Sequence, residues 1–91
     1  MTVLEERGKR YGEFKTFAET AQNLKYEFRR GRQLAGKSAS MTYCQQEAID
    51  MILHKIARIA NGDENYDDNW IDIAGYATLA SNEINDIQRS K

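Results

Sequence analysis

The chain contains no proline, one cysteine and one histidine among its 91 residues. Nothing in it therefore interrupts long helices, since proline is the residue that breaks a helix interior. The single cysteine, Cys44, cannot form a disulfide within the chain, which excludes the disulfide-stabilised secreted class and favours a reducing compartment. His54 lies too far along the same predicted helix to activate Cys44, so we expect a packing role for the thiol.

A strong charge of one sign and a long apolar run are also lacking. The formal net charge is -1, so the whole chain does not attract a polyanion and nucleic-acid binding is not expected. No apolar run approaches the roughly 20 residues that span a bilayer, and no signal peptide opens the chain, so no membrane partner is expected. Length and composition predict one domain over residues 1–91.

Apolar residues recur every three or four positions, which predicts an all-α fold. We expect a small three-helix bundle with a short N-terminal arm or helix, and with helices over about residues 13–32, 42–60 and 69–87. Small helical domains often complete their core by association. The chain is also rich in aromatic residues, with three Phe, five Tyr and one Trp, so we expect a homo-oligomer.

The ends of the second and third helices carry local signals. Thr42 and Gln45 fit a capping box, in which each side chain binds an unpaired backbone donor. Gly62 is expected to end the second helix by adopting the left-handed conformation. Asp68 or Asn69 is expected to cap the third helix.

Two cations, Lys55 and Arg58, lie three residues apart on an otherwise largely apolar stretch of the second helix. They could bind a phosphate, with arginine supplying a bidentate fork and lysine a point charge. Ion pairing with Asp72 or Glu47 is an equally supported interpretation. The two can coexist, because pairing can hold a cation in place for a ligand.

Two pairs of carboxylates are spaced for a metal ion. Glu47 and Asp50 are three apart, and Asp68 and Asp72 are four apart, so each pair shares one helix face. Mg²⁺ prefers a few carboxylates together with phosphate oxygens, which makes it the candidate cofactor, with Glu47 and Asp50 as its ligands. In the alternative, Asp68 caps its helix and Asp72 pairs with a cation of the second helix.

Three further features have a functional and a structural interpretation each. His54 could be a general acid or base, or a half-exposed polar contact. Trp70 and Tyr76 could stack on a base, or pack in the core. Residues 31–38 match the P-loop pattern, ending in Gly-Lys-Ser. A P-loop follows a buried strand, whereas a charged helix is predicted here, so no P-loop is expected.

The chain resembles a family of small bacteriophage proteins of unassigned function. The specific part of the resemblance pairs Lys-x-Ala-Arg-Ile at residues 55–59 with Trp-x-Asp-Ile-Ala-Gly-Tyr at residues 70–76. A related segment occurs in a phage nucleotide kinase that lacks a P-loop. The pattern is also distantly similar to the all-α nucleoside triphosphate pyrophosphohydrolases.

The resemblance implies a phage protein of the host cytoplasm that binds a nucleotide or nucleotide-like phosphate ligand, in nucleotide metabolism or sequestration. The cations would contact phosphate, an aromatic ring the base, and the acids would orient the cations or hold Mg²⁺. Catalysis is left open and no catalytic residue is assigned. The predicted ligand-binding residues are Lys55, Arg58, Asp68, Trp70, Asp72 and Tyr76.

A function of a different class suits the same composition. A small chain with a divided charge pattern and many aromatic residues could be a phage inhibitor that blocks a host defence or polymerase complex by protein contact. Under this alternative the charges of the second and third helices are structural. The binding face is then the basic side at residues 29–32 or the acidic loop at residues 63–67.

Overall fold

Three α-helices make up most of the part of the chain that the computed structural model describes, which is residues 2, 3, 6 and 13–89. We number them α1 (Phe14–Leu34), α2 (Tyr43–Asn61) and α3 (Asp67–Arg89). The predicted all-α fold is confirmed, with no strand in the described residues. Each predicted helix end lies within two residues of the observed one. The predicted N-terminal arm lies mostly outside the described residues.

The three-helix bundle is open, with α2 in the middle. Helix α2 packs against α1 on one side and α3 on the other, and within the described residues α1 and α3 do not approach each other. The radius of gyration is 15.6 Å and the extents are 54 × 28 × 17 Å. A compact domain of this length has a radius of gyration of about 12 Å. The fold is therefore a flat layer that leaves a face of α2 uncovered.

The contact between α1 and α2 rests on one aromatic ring and small residues. Phe17, Ala21 and Ala57 form the buried cluster, and alanine allows two helices to approach closely. At the end of this contact, Asn61 Nδ2 donates to Thr20 Oγ1 at 3.0 Å. The two helices are antiparallel, since the start of α1 meets the end of α2.

The contact between α2 and α3 is more polar. Thr42 Oγ1 donates to Glu83 Oε1, and Cys44 Sγ lies 3.9 Å from the Leu79 carbonyl oxygen, so the thiol contacts a neighbouring helix rather than a reactive group. Asn69 is almost fully buried in α3, and its Nδ2 has no hydrogen-bond partner among the described residues. The contacts of Thr42 and Cys44 join the start of α2 to the end of α3.

The helix ends confirm one prediction and correct another. The capping box is present: Thr42 Oγ1 accepts from the Gln45 N–H at 3.0 Å, and Gln45 Oε1 accepts from the Thr42 N–H at 3.1 Å. The left-handed glycine was placed at the wrong helix. Gly62 has φ -127°, whereas Gly36, at the end of α1, has φ 71°.

The turn at Gly36 is a Schellman motif, because the Gly36 N–H donates to the Gln33 carbonyl and the Lys37 N–H to the Arg32 carbonyl. Helix α1 continues through Gly31 to reach it, so residues 31–34 are helical and the P-loop pattern is not a P-loop. The motif fixes the direction in which the chain leaves α1.

Helix α3 begins earlier than predicted. It starts at Asp67, so Asp68 and Asn69 lie in its first turn and do not cap it. The turn that leads into it is made by backbone bonds, from the Tyr66 N–H to the Asp63 carbonyl and from the Asn69 N–H to the Tyr66 carbonyl. Carboxylates in a first turn are stabilised by the positive end of the helix dipole. Among the described helices, none has an apolar stretch long enough for a membrane span.

Candidate functional site

An ion pair joins α2 to α3 at the residues the sequence singled out. Lys55 Nζ lies 2.8 Å from Asp72 Oδ2. Lys55 is 9% exposed, whereas the Asp72 side chain is 44% exposed. A buried ammonium is costly unless it has a partner, so Asp72 compensates Lys55 from a position that water still reaches. The interhelical ion pair is therefore the arrangement that the structure shows.

The charges of three cations act on the only histidine. The His54 ring packs edge-on against Phe17, with ring centroids 4.8 Å apart. Burial lowers the pKa of His54, and the positive charges of Arg58, Lys25 and Lys55 lower it further, in that order. Only nearby charges exert such an effect. We call Lys25, Lys55 and Arg58 the cation cluster.

Two helices contribute to the cation cluster. Arg58 lies four residues after His54, on the same face of α2, and both side chains are half-buried. Lys25 comes from α1 and was not among the predicted ligand-binding residues. Its position follows from the antiparallel register that the Thr20–Asn61 bond marks, which brings Lys25 level with the middle of α2. The sequence gave no sign of which α2 residue Lys25 would meet.

The predicted residues of α3 divide between two faces. Asp68, Asp72 and Tyr76 follow each other at four-residue spacing and share one face. The Tyr66 hydroxyl donates to Asp68 Oδ2 at 2.9 Å, and Tyr76 is half-buried. The ion pair at Asp72 therefore has an acid on one side along the helix and an aromatic ring on the other.

Trp70 lies on a different face from this group. Residues two apart on a helix do not face the same side, so Trp70 points away from Asp72. Its indole N–H donates to the Glu64 carbonyl at 2.9 Å, and the residue is 51% exposed. The structure therefore brings Trp70 to the acidic loop and not to the cation cluster.

The two proposed magnesium ligands lie on α2. Asp50 accepts from Gln46 Nε2 at 3.1 Å, and Glu47 is exposed. Within the described part of the chain, no group of three or more His, Cys, Asp or Glu side chains is placed to hold a metal ion. Mg²⁺ at these two carboxylates would take its other ligands from water or from phosphate oxygens.

A basic cavity of about 420 Å³ lies at the connection between α1 and α2. Among the residues that the structure describes, no Asp or Glu lines it. The Arg32 Nη2 donates to the Ala39 carbonyl at 2.8 Å and so holds the connection against α1. The polar residues that line this cavity include Arg29, Arg32, Lys37, Ser38, Ser40 and Gln46.

An apolar groove of about 510 Å³ runs over α2 between α1 and α3. It occupies the space that stays open because α1 and α3 do not meet. Lys55, Arg58 and Asp72 line neither this groove nor the basic cavity. The apolar residues of the groove include Phe28, Ala48, Ile49, Ile52, Ala77 and Ile84.

The comparisons with known proteins give a family and no activity. No curated protein and no solved structure matches the chain. A family described as a domain of unknown function, DUF6378, matches residues 1–84. The resemblance to a phage kinase and to pyrophosphohydrolases finds no support in these comparisons. Since the match covers nearly the whole sequence, the chain is a member of the DUF6378 family.

Proposed function

We propose that this protein binds a nucleotide or nucleotide-like phosphate ligand at the cation cluster, in nucleotide metabolism or sequestration. The observation that carries the proposal is that three cations from two helices act on one half-buried imidazole, whose pKa they lower, while Asp72 holds one of them in an ion pair. In line with the sequence resemblance, the proposal places this binding in a phage protein of the host cytoplasm.

The charges of the cation cluster suit a phosphate. Asp72 pairs with Lys55, and Lys25 and Arg58 are also cations at neutral pH. A phosphate monoester carries about -1.5 to -2 charges there. Arg58 offers a bidentate fork and Lys25 a point charge. Lys55 stays in place because Asp72 holds it.

The base would lie toward Tyr76. Tyr76 follows Asp72 on the same face of α3 and is half-buried, so its ring is the better placed of the two predicted aromatic residues. Trp70 lies on the other side of the helix, beside the acidic loop. A magnesium ion would enter on the phosphates of the ligand, with Glu47 or Asp50 adding a carboxylate.

A thermal-shift assay tests the proposal. Nucleoside mono-, di- and triphosphates, with and without Mg²⁺, should raise the melting temperature, because a ligand that binds only the native state stabilises it. Arg58→Gln should lose most of this rise. Lys15→Gln removes an exposed cation from α1, outside the cation cluster, and should keep it.

Two results would overturn the proposal. The first is that no nucleotide raises the melting temperature of the wild type. The second is that Arg58→Gln keeps the full ligand-induced rise while its melting temperature without ligand equals that of the wild type. If no nucleotide stabilises the protein and a host defence or polymerase complex is captured with it, contact with a host complex becomes the better account.

We also propose that a second copy of the chain covers the apolar groove. The buried hydrophobic residues of the described chain are only Phe17, Ala21, Ala48 and Ala57. A core this small gives little hydrophobic stabilisation. Placing the grooves of two copies face to face would bury the isoleucines of α2 and supply the missing apolar contact.

Sedimentation velocity tests this association. The wild type should sediment as a dimer, and Ile84→Glu should sediment as a monomer, because Ile84 lines the groove and is 39% exposed. Ile71→Glu is the matched control on the same helix, since Ile71 is 56% exposed and does not line the groove. A monomeric wild type, or dimers of both variants, would contradict the proposal.

A further inference from the structure

The basic cavity carries positive charge from Arg29, Arg32 and Lys37, which line it. No carboxylate of the described residues lines it. Within the described residues neither Arg29 nor Lys37 forms an ion pair, whereas the next residue along, Arg30, pairs with Glu27. Like charges placed together without acids repel one another, and an anion relieves that repulsion.

The cavity has a fixed wall and room for a ligand. The Schellman motif at Gly36 turns the chain back so that Lys37 lies opposite α1. The bond from Arg32 to the Ala39 carbonyl holds this turn against α1. A volume of about 420 Å³ falls in the range of small-molecule sites, roughly 300–1,000 Å³.

We propose that the basic cavity binds a pyrophosphate group, either as free pyrophosphate or as part of a nucleoside diphosphate. A pyrophosphate group carries more negative charge than a single phosphate, and three cations from two segments can surround it. The hydroxyls of Ser38 and Ser40 and the amide of Gln46 line the same cavity and can donate to phosphate oxygens. The positive end of the α2 dipole lies beside them.

The α2 residues of this site lie far from those of the cation cluster, although Arg29 follows Lys25 by about one turn of α1. Tyr43 lines the basic cavity, and Arg58 follows it 15 positions later on the same helix, which places them about 22 Å apart along the axis. One pyrophosphate group cannot span that distance. The inference therefore stands whether or not the cation cluster binds a ligand.

Isothermal titration calorimetry with inorganic pyrophosphate tests the site. The titrations use Arg58→Gln as the background, so that the cation cluster does not contribute. Adding Lys37→Gln or Arg29→Gln should weaken binding about tenfold or more, because a charge-assisted hydrogen bond is lost. Arg30→Gln is the matched control, since Arg30 does not line the cavity, and it should leave the affinity unchanged.

Two further measurements locate the site and identify the ligand. Backbone amide NMR shifts of residues 37–46 should respond to pyrophosphate more than those around His54. Inorganic phosphate should bind at least tenfold more weakly than pyrophosphate. A nucleoside diphosphate that binds more tightly than pyrophosphate would identify a nucleotide as the source of the group, and equal affinities would identify pyrophosphate itself.

Several outcomes would overturn the inference. Lys37→Gln and Arg29→Gln might bind pyrophosphate as tightly as the background protein. Inorganic phosphate might bind as tightly as pyrophosphate. Arg30→Gln might weaken binding as much as Lys37→Gln and Arg29→Gln do. An RNA oligonucleotide might displace pyrophosphate equally well from the background protein and from every variant. Either of the last two results would show general attraction of polyanions to a basic surface.

Discussion

The two members of the Lys55–Asp72 ion pair should be unequally important for stability. Lys55 is the buried member, with its side chain 11% exposed, and that of Asp72 is 44% exposed. Asp72→Ala leaves a buried ammonium without its anion. Breaking a buried pair in this way typically costs about 3–5 kcal/mol. Because water reaches the Asp72 side of the pair, we expect about 2–3 kcal/mol here.

Lys55→Met should cost much less. Methionine keeps the apolar stem that packs between α2 and α3, and the half-exposed carboxylate of Asp72 stays hydrated. The substitution also removes one of the mutually repelling cations around His54. We expect the free energy of unfolding to change by about 1 kcal/mol or less.

Urea unfolding followed by far-ultraviolet circular dichroism measures this difference, since the midpoint and slope give the free energy of unfolding. The double variant Lys55→Met, Asp72→Ala should be more stable than Asp72→Ala alone, because it no longer contains a buried unpaired charge. The reasoning is refuted if Lys55→Met destabilises as much as Asp72→Ala, or if the double variant is no more stable than Asp72→Ala.

Three further predictions use the same unfolding assay. Thr42→Ala should cost about 1–2 kcal/mol because it removes both the helix cap and the hydrogen bond to Glu83, whereas Thr78→Ala, which loses only an exposed bond within α3, should change little. Gly36→Ala should cost about 1 kcal/mol through its left-handed backbone alone, whereas Gly75→Ala, with open space and a helical backbone, should stabilise by about 0.5–1 kcal/mol. The pKa of His54 is lowered from its ordinary value of 6.5, so the stability of the protein should depend on pH. The free energy of unfolding should be highest above pH 6.5 and should decrease as the pH falls from there through the folded-state pKa, because the unfolded chain binds the proton first.

Each of these has a contrary result. Equal losses for the two threonine variants would show that the cap is not important. A Gly36→Ala variant as stable as the wild type would show that the turn relaxes to accept a side chain. For His54, replacement by glutamine should flatten the loss of stability between neutral and mildly acidic pH, and an unchanged pH profile would assign that loss to other groups.

Local features of the fold could be read from the sequence, because each depends on neighbouring residues. The spacing of apolar residues located the helices, and the pair Thr42 and Gln45 located the start of α2. The left-handed turn was misplaced because Gly62 and Gly36 both follow helices. The choice between them depends on the backbone bonds that the next residues make.

The candidate site could be read only in part. Lys55 and Asp72 were identified as possible partners. The ligand-binding and the ion-pairing interpretations involve the same residues, so the sequence could not choose between them. Lys25 was missed because its place beside His54 depends on the register between two helices, which no single helix pattern contains. The basic side at residues 29–32 was visible in the sequence, but the cavity that it lines depends on the turn at Gly36.

The most direct measurement of the central proposal is the pKa of His54 with and without a nucleoside diphosphate. His54 is the only histidine in the chain, so its imidazole resonances in an NMR titration need no assignment among histidines. Without ligand the pKa should lie below its ordinary value. Saturating ligand should raise it, because a phosphate at the cation cluster favours the imidazolium, and Arg58→Gln should abolish that rise. A pKa of His54 that saturating ligand leaves unchanged would contradict binding at the cation cluster.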